Sequence, residues 1–145
     1  MRGVLLDTHA LVWFLADEPM ADAALVAIAE AQEAQRLYIS PVSAWEVAIA
    51  LRKPDPKRRP NLGGEDAAVW FRRALTSVGA RLAPVHQQVA LEAARVPDVY
   101  GRGDPGDCFL IATARVKRVP IVTRDGAMRD LAADRRPGYL DVVVC

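Results

Sequence analysis

Two aspartates of this 145-residue chain follow predicted strands. Asp7 comes directly after the run 3–6, and Asp125 comes two residues after the run 120–123. If both strands are parallel members of one sheet, the two carboxylates lie at the same edge, just beyond the carboxyl ends of the strands. Aspartate is also an ordinary residue at turns and helix starts, so neither residue is specific by itself.

Two further carboxylates belong to predicted helices that start at the same edge. Asp107 lies in the first turn of a helix that Asp104 and a following proline open, and Glu46 lies in the second turn of a helix that begins at Ser40. Asp104 and Asp107 also fit a capping start, and Glu46 could point to solvent. The joint position of four acids is the stronger signal, because unrelated cap and turn residues have no reason to gather at one edge.

Carboxylates crowded together repel one another, and a divalent cation would neutralise them. Oxygen ligands without an accompanying set of histidines or cysteines favour Mg²⁺ or Mn²⁺ over zinc. Such an ion suits phosphate esters, because it neutralises the phosphate, positions a nucleophilic water and stabilises the leaving oxygen. The acidic residues therefore predict metal-dependent hydrolysis of a phosphodiester.

The elements that must position these acids alternate between strands and helices. Strands are predicted at 3–6, 37–39, 81–85, 120–123 and 140–144. Helices are predicted at 21–35, 65–78, 87–96 and 127–133, in addition to those that begin at Asp7 or Thr8, at Ser40 and at Asp104, and residues 97–103 are predicted to be a flexible connection. This alternation predicts an α/β fold, a three-layer α/β/α sandwich around a mostly parallel central sheet.

The composition, 52% hydrophobic and 26% charged, predicts a single domain over residues 1–145. A net charge of +1 lacks the basic excess that is typical of nucleic-acid-binding domains. Positive charge gathers in the segment Arg52–Arg59, which predicts either a solvated loop or a loop that contacts phosphates. The sequence has neither a membrane-spanning run nor a secretory signal, and Cys108 and Cys145 form no disulfide pattern, so we expect a cytoplasmic protein with no membrane association.

Four blocks of sequence together resemble a PIN-domain protein, and more narrowly a VapC-type toxin of bacterial toxin–antitoxin pairs. The blocks are LLDTH at 5–9, SAWEVAI at 43–49, DPGDCFLIATA at 104–114 and IVTRD at 121–125. The resemblance covers nearly the whole chain. It implies an endoribonuclease that uses Mg²⁺ or Mn²⁺ and a metal-activated water to hydrolyse RNA. It also implies a cognate antitoxin and a homodimer, or a heterotetramer or larger assembly with that antitoxin.

The resemblance assigns roles residue by residue. The family's acidic quartet corresponds to Asp7, Glu46, Asp107 and Asp125. We expect Asp7 and Asp107 to bind the metal directly, with the other two acids completing the site directly or through water. Asp104 is an additional carboxylate, and Thr123 matches a supporting hydroxyl residue, although it is also an ordinary strand residue. Cys108 stands where many such toxins have an arginine after the third acid, so no role of that arginine is carried over.

Two other functions compete with the nuclease. An aspartate-nucleophile phosphatase of the haloacid dehalogenase type would also place Asp7 after a first strand, but the second aspartate of that family is replaced by His9. A PIN-fold binding or scaffold module without activity is weakened by the presence of all four acids. His9 is interpreted as a structural residue or one that supports the site indirectly, and His86 as a surface or capping residue. The tryptophans at positions 13, 45 and 70 are interpreted as core or interface side chains in preference to base-stacking ones.

Overall fold

Five short parallel strands form the central sheet of the structure, a computed structural model that describes residues 3–145. They are β1 (Val4–Leu6), β2 (Leu37–Ile39), β3 (Arg81–Leu82), β4 (Ile121–Thr123) and β5 (Val142–Val144), in the order β3-β2-β1-β4-β5. The chain builds outward from β1 through β2 to β3 and then returns to the other side of β1. The order in which the chain adds strands therefore reverses between β1 and β4, although all strands stay parallel. Open parallel sheets bind ligands at such a reversal point.

Helices cover both faces of the sheet. Those of the described residues are α1 (Thr8–Leu15), α2 (Asp22–Glu33), α3 (Pro41–Ala50), α4 (Ala67–Val78), α5 (Gln87–Tyr100), α6 (Pro105–Lys117) and α7 (Gly126–Asp130). A 3₁₀ turn spans Pro56–Arg58, and a π-helical turn at Leu131–Arg135 continues α7. Helices α1 to α4 pack on one face and α5 to α7 on the other. This arrangement confirms the predicted three-layer sandwich, with a sheet that is wholly parallel.

The strands are apolar on both sides because both faces of the sheet are covered. Val4 and Leu6 point into the core beneath α1 to α4, while Leu5 between them points into the core beneath α5 to α7. All three are buried. The buried sheet gives the residues that follow β1 and β4 a fixed position.

One prediction fails at the end of α5. Residues 97–100, predicted to belong to a flexible connection, continue the helix through Pro97 to Tyr100. Proline removes one N–H from the helical ladder, but Val96 and Tyr100 on either side of it are buried against the second core. The helix ends instead at Gly101, whose positive φ of 74° closes it in the left-handed conformation.

Other boundaries shift by a few residues. The third strand covers only 81–82, the last covers 142–144, and the predicted helix 127–133 is divided between α7 and the π-helical turn.

None of the helices in the described part of the chain combines the length and apolar character that crossing a membrane requires.

Candidate active site

Asp7 and Asp125 each begin a helix at adjacent strand ends. The Oδ1 atom of Asp7 accepts a hydrogen bond of 2.7 Å from the backbone N–H of Ala10, and Oδ1 of Asp125 accepts one of 2.9 Å from Met128. Both aspartates are therefore helix caps, as the local sequence allows. Capping occupies one oxygen of each carboxylate, which leaves the other oxygen for a second contact.

The hydroxyl of Thr123 joins these two acids. It donates a hydrogen bond to Oδ2 of Asp7 and accepts one of 3.0 Å from the backbone N–H of Asp125. Thr123 is fully buried at the end of β4, so its position is fixed by the core of the sheet. The structure thus places Thr123 between the first and fourth acids of the predicted quartet.

Glu46 projects from α3 toward the same edge. Its Oε1 atom accepts a hydrogen bond of 2.6 Å from the hydroxyl of Thr8. The same Thr8 hydroxyl is hydrogen-bonded to the hydroxyl of Ser43, with 2.9 Å between the two oxygens. Its other oxygen lies against Gly106, where a Cβ would come within 2.5 Å of Oε2. Glycine at this position therefore lets the start of α6 approach the Glu46 carboxylate closely.

Asp104 and Asp107 occupy the start of α6. Oδ1 of Asp104 caps the helix by accepting a 3.0 Å hydrogen bond from the backbone N–H of Asp107. Oδ2 of Asp107 accepts a 2.9 Å hydrogen bond from the hydroxyl of Tyr100. Asp104 is exposed, whereas Asp107 is partly buried. The third acid is therefore held from the end of α5, an element that the sequence did not connect to the site.

The pKa values show that the carboxylates share one electrostatic environment. Burial raises the pKa of Asp7, and the charge of Asp125 raises it further. Burial likewise raises the pKa of Glu46, to which Asp104 and Asp7 add. The pKa of Asp107 rises to about 6, first because of burial and then because of Asp104, Asp125 and Glu46. Asp7, Glu46 and Asp107 thus each feel the charge of acids that are distant in sequence, and neutralising any of these three favours the folded state.

The donor atoms fit a hard cation with few direct protein ligands. Among residues 3–145, no group of three or more histidine, cysteine, aspartate or glutamate side chains is close enough to hold a metal ion. Mg²⁺ commonly binds through one or two carboxylates and keeps several waters, and the raised pKa values explain why a cation would be favourable here. Direct ligation by Asp7 and Asp107 stays a prediction.

No hydrogen bond joins either histidine to these acids within residues 3–145, although the charge of His9 opposes the rise in the pKa of Asp7 and of Glu46. The exposed ring of His9 stacks on Trp13, with ring centroids 5.5 Å apart. His86 caps α5 through a 3.5 Å hydrogen bond from the backbone N–H of Val89. Both positions agree with the structural roles predicted for them.

The contact of Tyr100 with Asp107 is one that the sequence interpretation missed. The proline at position 97 suggested that the helix ends before it. A signal was present, because the buried residues Val89, Ala93, Val96 and Tyr100 keep one helical face across the proline. The contacts of Glu46 with Thr8 and Gly106 were also missed, and they depend on how α1, α3 and α6 pack.

The chain is similar to several known proteins. The family described as the PIN domain matches residues 4–134. A curated relative named ribonuclease VapC, from Mycolicibacterium smegmatis, is 33% identical over 138 residues, which cover 90% of this chain and 98% of the relative.

Solved structures share the fold. In the crystal structure of VapBC2 from Rickettsia felis bound to a promoter DNA fragment, the matching chain is 12% identical with a TM-score of 0.64, and the match covers 97% of each chain. For the DNA-bound VapBC from Salmonella typhimurium the identity is 15% and the TM-score 0.62, over 99% of this chain and 98% of that one.

Proposed function

Because the chain belongs to the PIN-domain family, and within it to the VapC ribonucleases, we propose that its carboxylate cluster is the active site of a metal-dependent endoribonuclease, the toxin of a toxin–antitoxin pair. The observation that carries this proposal is the approach of acids from four separate segments at one edge of the sheet, where Thr123 joins Asp7 to Asp125 and the start of α6 closes on Glu46. Family membership also removes the reason to prefer a phosphatase, and the complete acidic set argues against an inactive scaffold.

The proposed metal ligands are Asp7 and Asp107, with Mg²⁺ or Mn²⁺ as the cofactor. When bound, such an ion supplies charge neutralisation of the phosphate and a water activated for attack on phosphorus. The protein's part is to hold its oxygens in place: Thr123 fixes one oxygen of Asp7, and Tyr100 fixes one oxygen of Asp107. Preorganised ligands of this kind reduce the reorganisation needed when the substrate binds.

The remaining acids complete the site. Thr8 orients Glu46 by donating to Oε1, while Asp125 keeps its Oδ2 available after capping α7 with Oδ1. We assign to these two carboxylates the roles of holding and orienting water beside the metal ligands and of accepting its proton. Asp104 adds negative charge close to Glu46 and Asp107, so it strengthens the attraction of the site for a cation.

The proposed partners follow from the relatives. The similar solved structures are described as VapBC complexes, and we propose that a cognate antitoxin binds this chain too. A homodimer, or a larger assembly with the antitoxin, and a cytoplasmic location belong to the same proposal. RNA is the proposed substrate because the curated relative is named a ribonuclease.

The proposal is tested by replacing Asp7 with asparagine. Asparagine caps a helix as well as aspartate does, so Asp7→Asn should fold while its cleavage of RNA in Mg²⁺ or Mn²⁺ falls by about a hundredfold or more, in line with loss of a preorganised charged group. Asp98→Asn, an exposed change on α5, is the matched control. RNA cleavage that is unaffected by Asp7→Asn, or that persists in excess EDTA, would show that the proposed site is wrong.

A further inference from the structure

A groove of about 500 Å³ runs beside the carboxylates, between α1, α3 and the basic segment Arg52–Arg59. Thr8, Glu46 and Asp104 contribute to its lining near the candidate active site. Lys53 belongs to the same lining and follows the end of α3, whose last residue, Ala50, lies about 6 Å beyond Glu46 at 1.5 Å per helical residue. The groove therefore begins at the acids and leads away from them.

Two large apolar side chains of α3 face this groove and remain exposed. Trp45 is 50% exposed and Ile49 is 47% exposed, and they lie one helical turn apart. Trp45 is thus not covered within this chain, and its packing at an interface stays a prediction, whereas Trp70 is buried as expected. An exposed tryptophan in a groove is a stacking surface, because the face of any base can lie on an indole ring.

One basic side chain of the segment Arg52–Arg59 has a structural contact, and three others line the groove. Arg59 holds the segment together, since its Nε donates a 2.7 Å hydrogen bond to the carbonyl of Lys53, while Asp55 caps the 3₁₀ turn. The side chains of Lys53, Lys57 and Arg58 line the groove, and within the described part of the chain no acid pairs with them. These three cations are available to bind anions.

We propose that the groove binds a single-stranded segment of RNA next to the bond that is cut, with Trp45 stacking on a base and Lys53, Lys57 and Arg58 contacting phosphates. This inference rests on the proposed endoribonuclease function. The combination of an aromatic surface with unpaired cations complements a nucleic-acid strand, which presents apolar base faces and a regular series of negative charges. A duplex buries its base faces by stacking, so it cannot use Trp45 in this way.

The test measures binding separately from cleavage. Asp7→Asn protein is titrated with a short single-stranded RNA and with the duplex of the same sequence, and tryptophan fluorescence and oligonucleotide anisotropy are recorded. We expect the single strand to quench the tryptophan emission and to bind more tightly than the duplex. Because Trp13 also lines the groove, the part of the quenching that is lost on replacing Trp45 reports on Trp45. Adding Trp45→Ala should weaken binding of the single strand about tenfold, while Trp45→Phe, which keeps a ring, should retain most of the affinity.

The cations are tested by their effect on the salt dependence. In the same background, Lys57→Gln should reduce the slope of log affinity against log salt by about 0.7 for the single strand. Leu91→Ala and Arg95→Gln on α5, which is on the other face of the sheet, are the matched controls for an exposed apolar and an exposed basic residue. Both controls should bind the single strand as the Asp7→Asn protein does.

The outcomes separate the groove from the catalytic function. If cleavage requires Asp7 but Trp45→Ala and Lys57→Gln leave binding of the single strand unchanged, the groove proposal is wrong and the endoribonuclease proposal stands. Equal affinity for the duplex would also overturn it. Quenching of Trp45 by an antitoxin but not by RNA would identify the groove as a protein-docking surface and likewise reject the proposal. If Asp7 proves dispensable for cleavage, the binding measurements still show whether the groove binds single-stranded RNA.

Discussion

Replacing Asp107 with asparagine is expected to stabilise the metal-free protein while it abolishes activity. The carboxylate of Asp107 is partly buried and close to Asp104, Asp125 and Glu46, and its pKa rises from 3.8 to about 6, chiefly because of burial. At neutral pH the folded state therefore carries a charge that its surroundings disfavour. Asparagine removes that charge and keeps an oxygen that accepts from the hydroxyl of Tyr100.

The size of the effect follows from the change in pKa. A rise from 3.8 to about 6 corresponds to about 3 kcal/mol at neutral pH. Because the carboxylate of Asp107 is partly exposed, solvent screening reduces this value, and we expect about 1 kcal/mol. For a chain of this length, that is an increase of about 3 °C in melting temperature.

The dependence on pH identifies the cause. A carboxyl whose folded pKa lies above its unfolded value stabilises the folded state below the unfolded pKa, and this contribution is lost as the pH rises through the folded pKa. The advantage of Asp107→Asn in melting temperature should therefore be largest above pH 6 and disappear near pH 4. Melting curves in EDTA across this range measure it directly.

Two variants serve as controls. Tyr100→Phe removes the hydrogen bond that lowers the pKa of Asp107, so it should destabilise the metal-free protein at pH 7 by about 1 kcal/mol. Asp98→Asn should change little. Mg²⁺ should raise the melting temperature of the wild type but not that of Asp107→Asn, because only a ligand that binds the folded state stabilises it. A lower melting temperature for Asp107→Asn in EDTA, or a gain that does not depend on pH, would refute the reasoning.

Two further substitutions test the contacts that hold the acids. Gly106→Ala would place a Cβ 2.5 Å from the Oε2 atom of Glu46, so RNA cleavage should fall about tenfold or more with the helix retained, whereas Gly126→Ala, which meets nothing within 4 Å, should cleave normally. Full activity of Gly106→Ala would contradict the close approach of α6 to α3. Thr123→Val removes a buried hydroxyl that donates to Asp7, so it should lower the unfolding free energy by about 2 kcal/mol and reduce cleavage, and Thr123→Ser should restore both. Equal behaviour of the valine and serine variants in melting and cleavage assays would exclude this role for the hydroxyl.

The sheet edge could be predicted from local sequence. Short apolar strands followed by Asp7 and by Thr123-Arg124-Asp125 carry their own boundary signals, because an aspartate that begins a helix also marks where the strand has ended. The parallel arrangement then follows from the alternation of strands and helices. These two facts are sufficient to place the first and fourth acids beside each other.

The remaining contacts depend on packing between elements. Pro97 is a local signal for the end of a helix, and burial of Tyr100 overrides it, which no single-residue rule includes. The approach of Glu46 to Gly106 is set by how α3 meets α6. Likewise, helical spacing places Trp45 on a face of α3 but cannot say whether another element covers that face. Sequence patterns define surfaces, and tertiary packing decides which of them meet.

The use of aspartates as helix caps has a consequence for the cell that carries this gene. Asp7 and Asp125 each begin a helix with one oxygen, and asparagine does the same with its amide oxygen. If these aspartates serve the proposed nuclease site, a single mutation to asparagine is therefore expected to yield a well-folded chain that no longer cuts RNA. On the proposed function, such a chain keeps the surface that the antitoxin would bind, so we expect a harmless copy of the gene to release active toxin made from another copy.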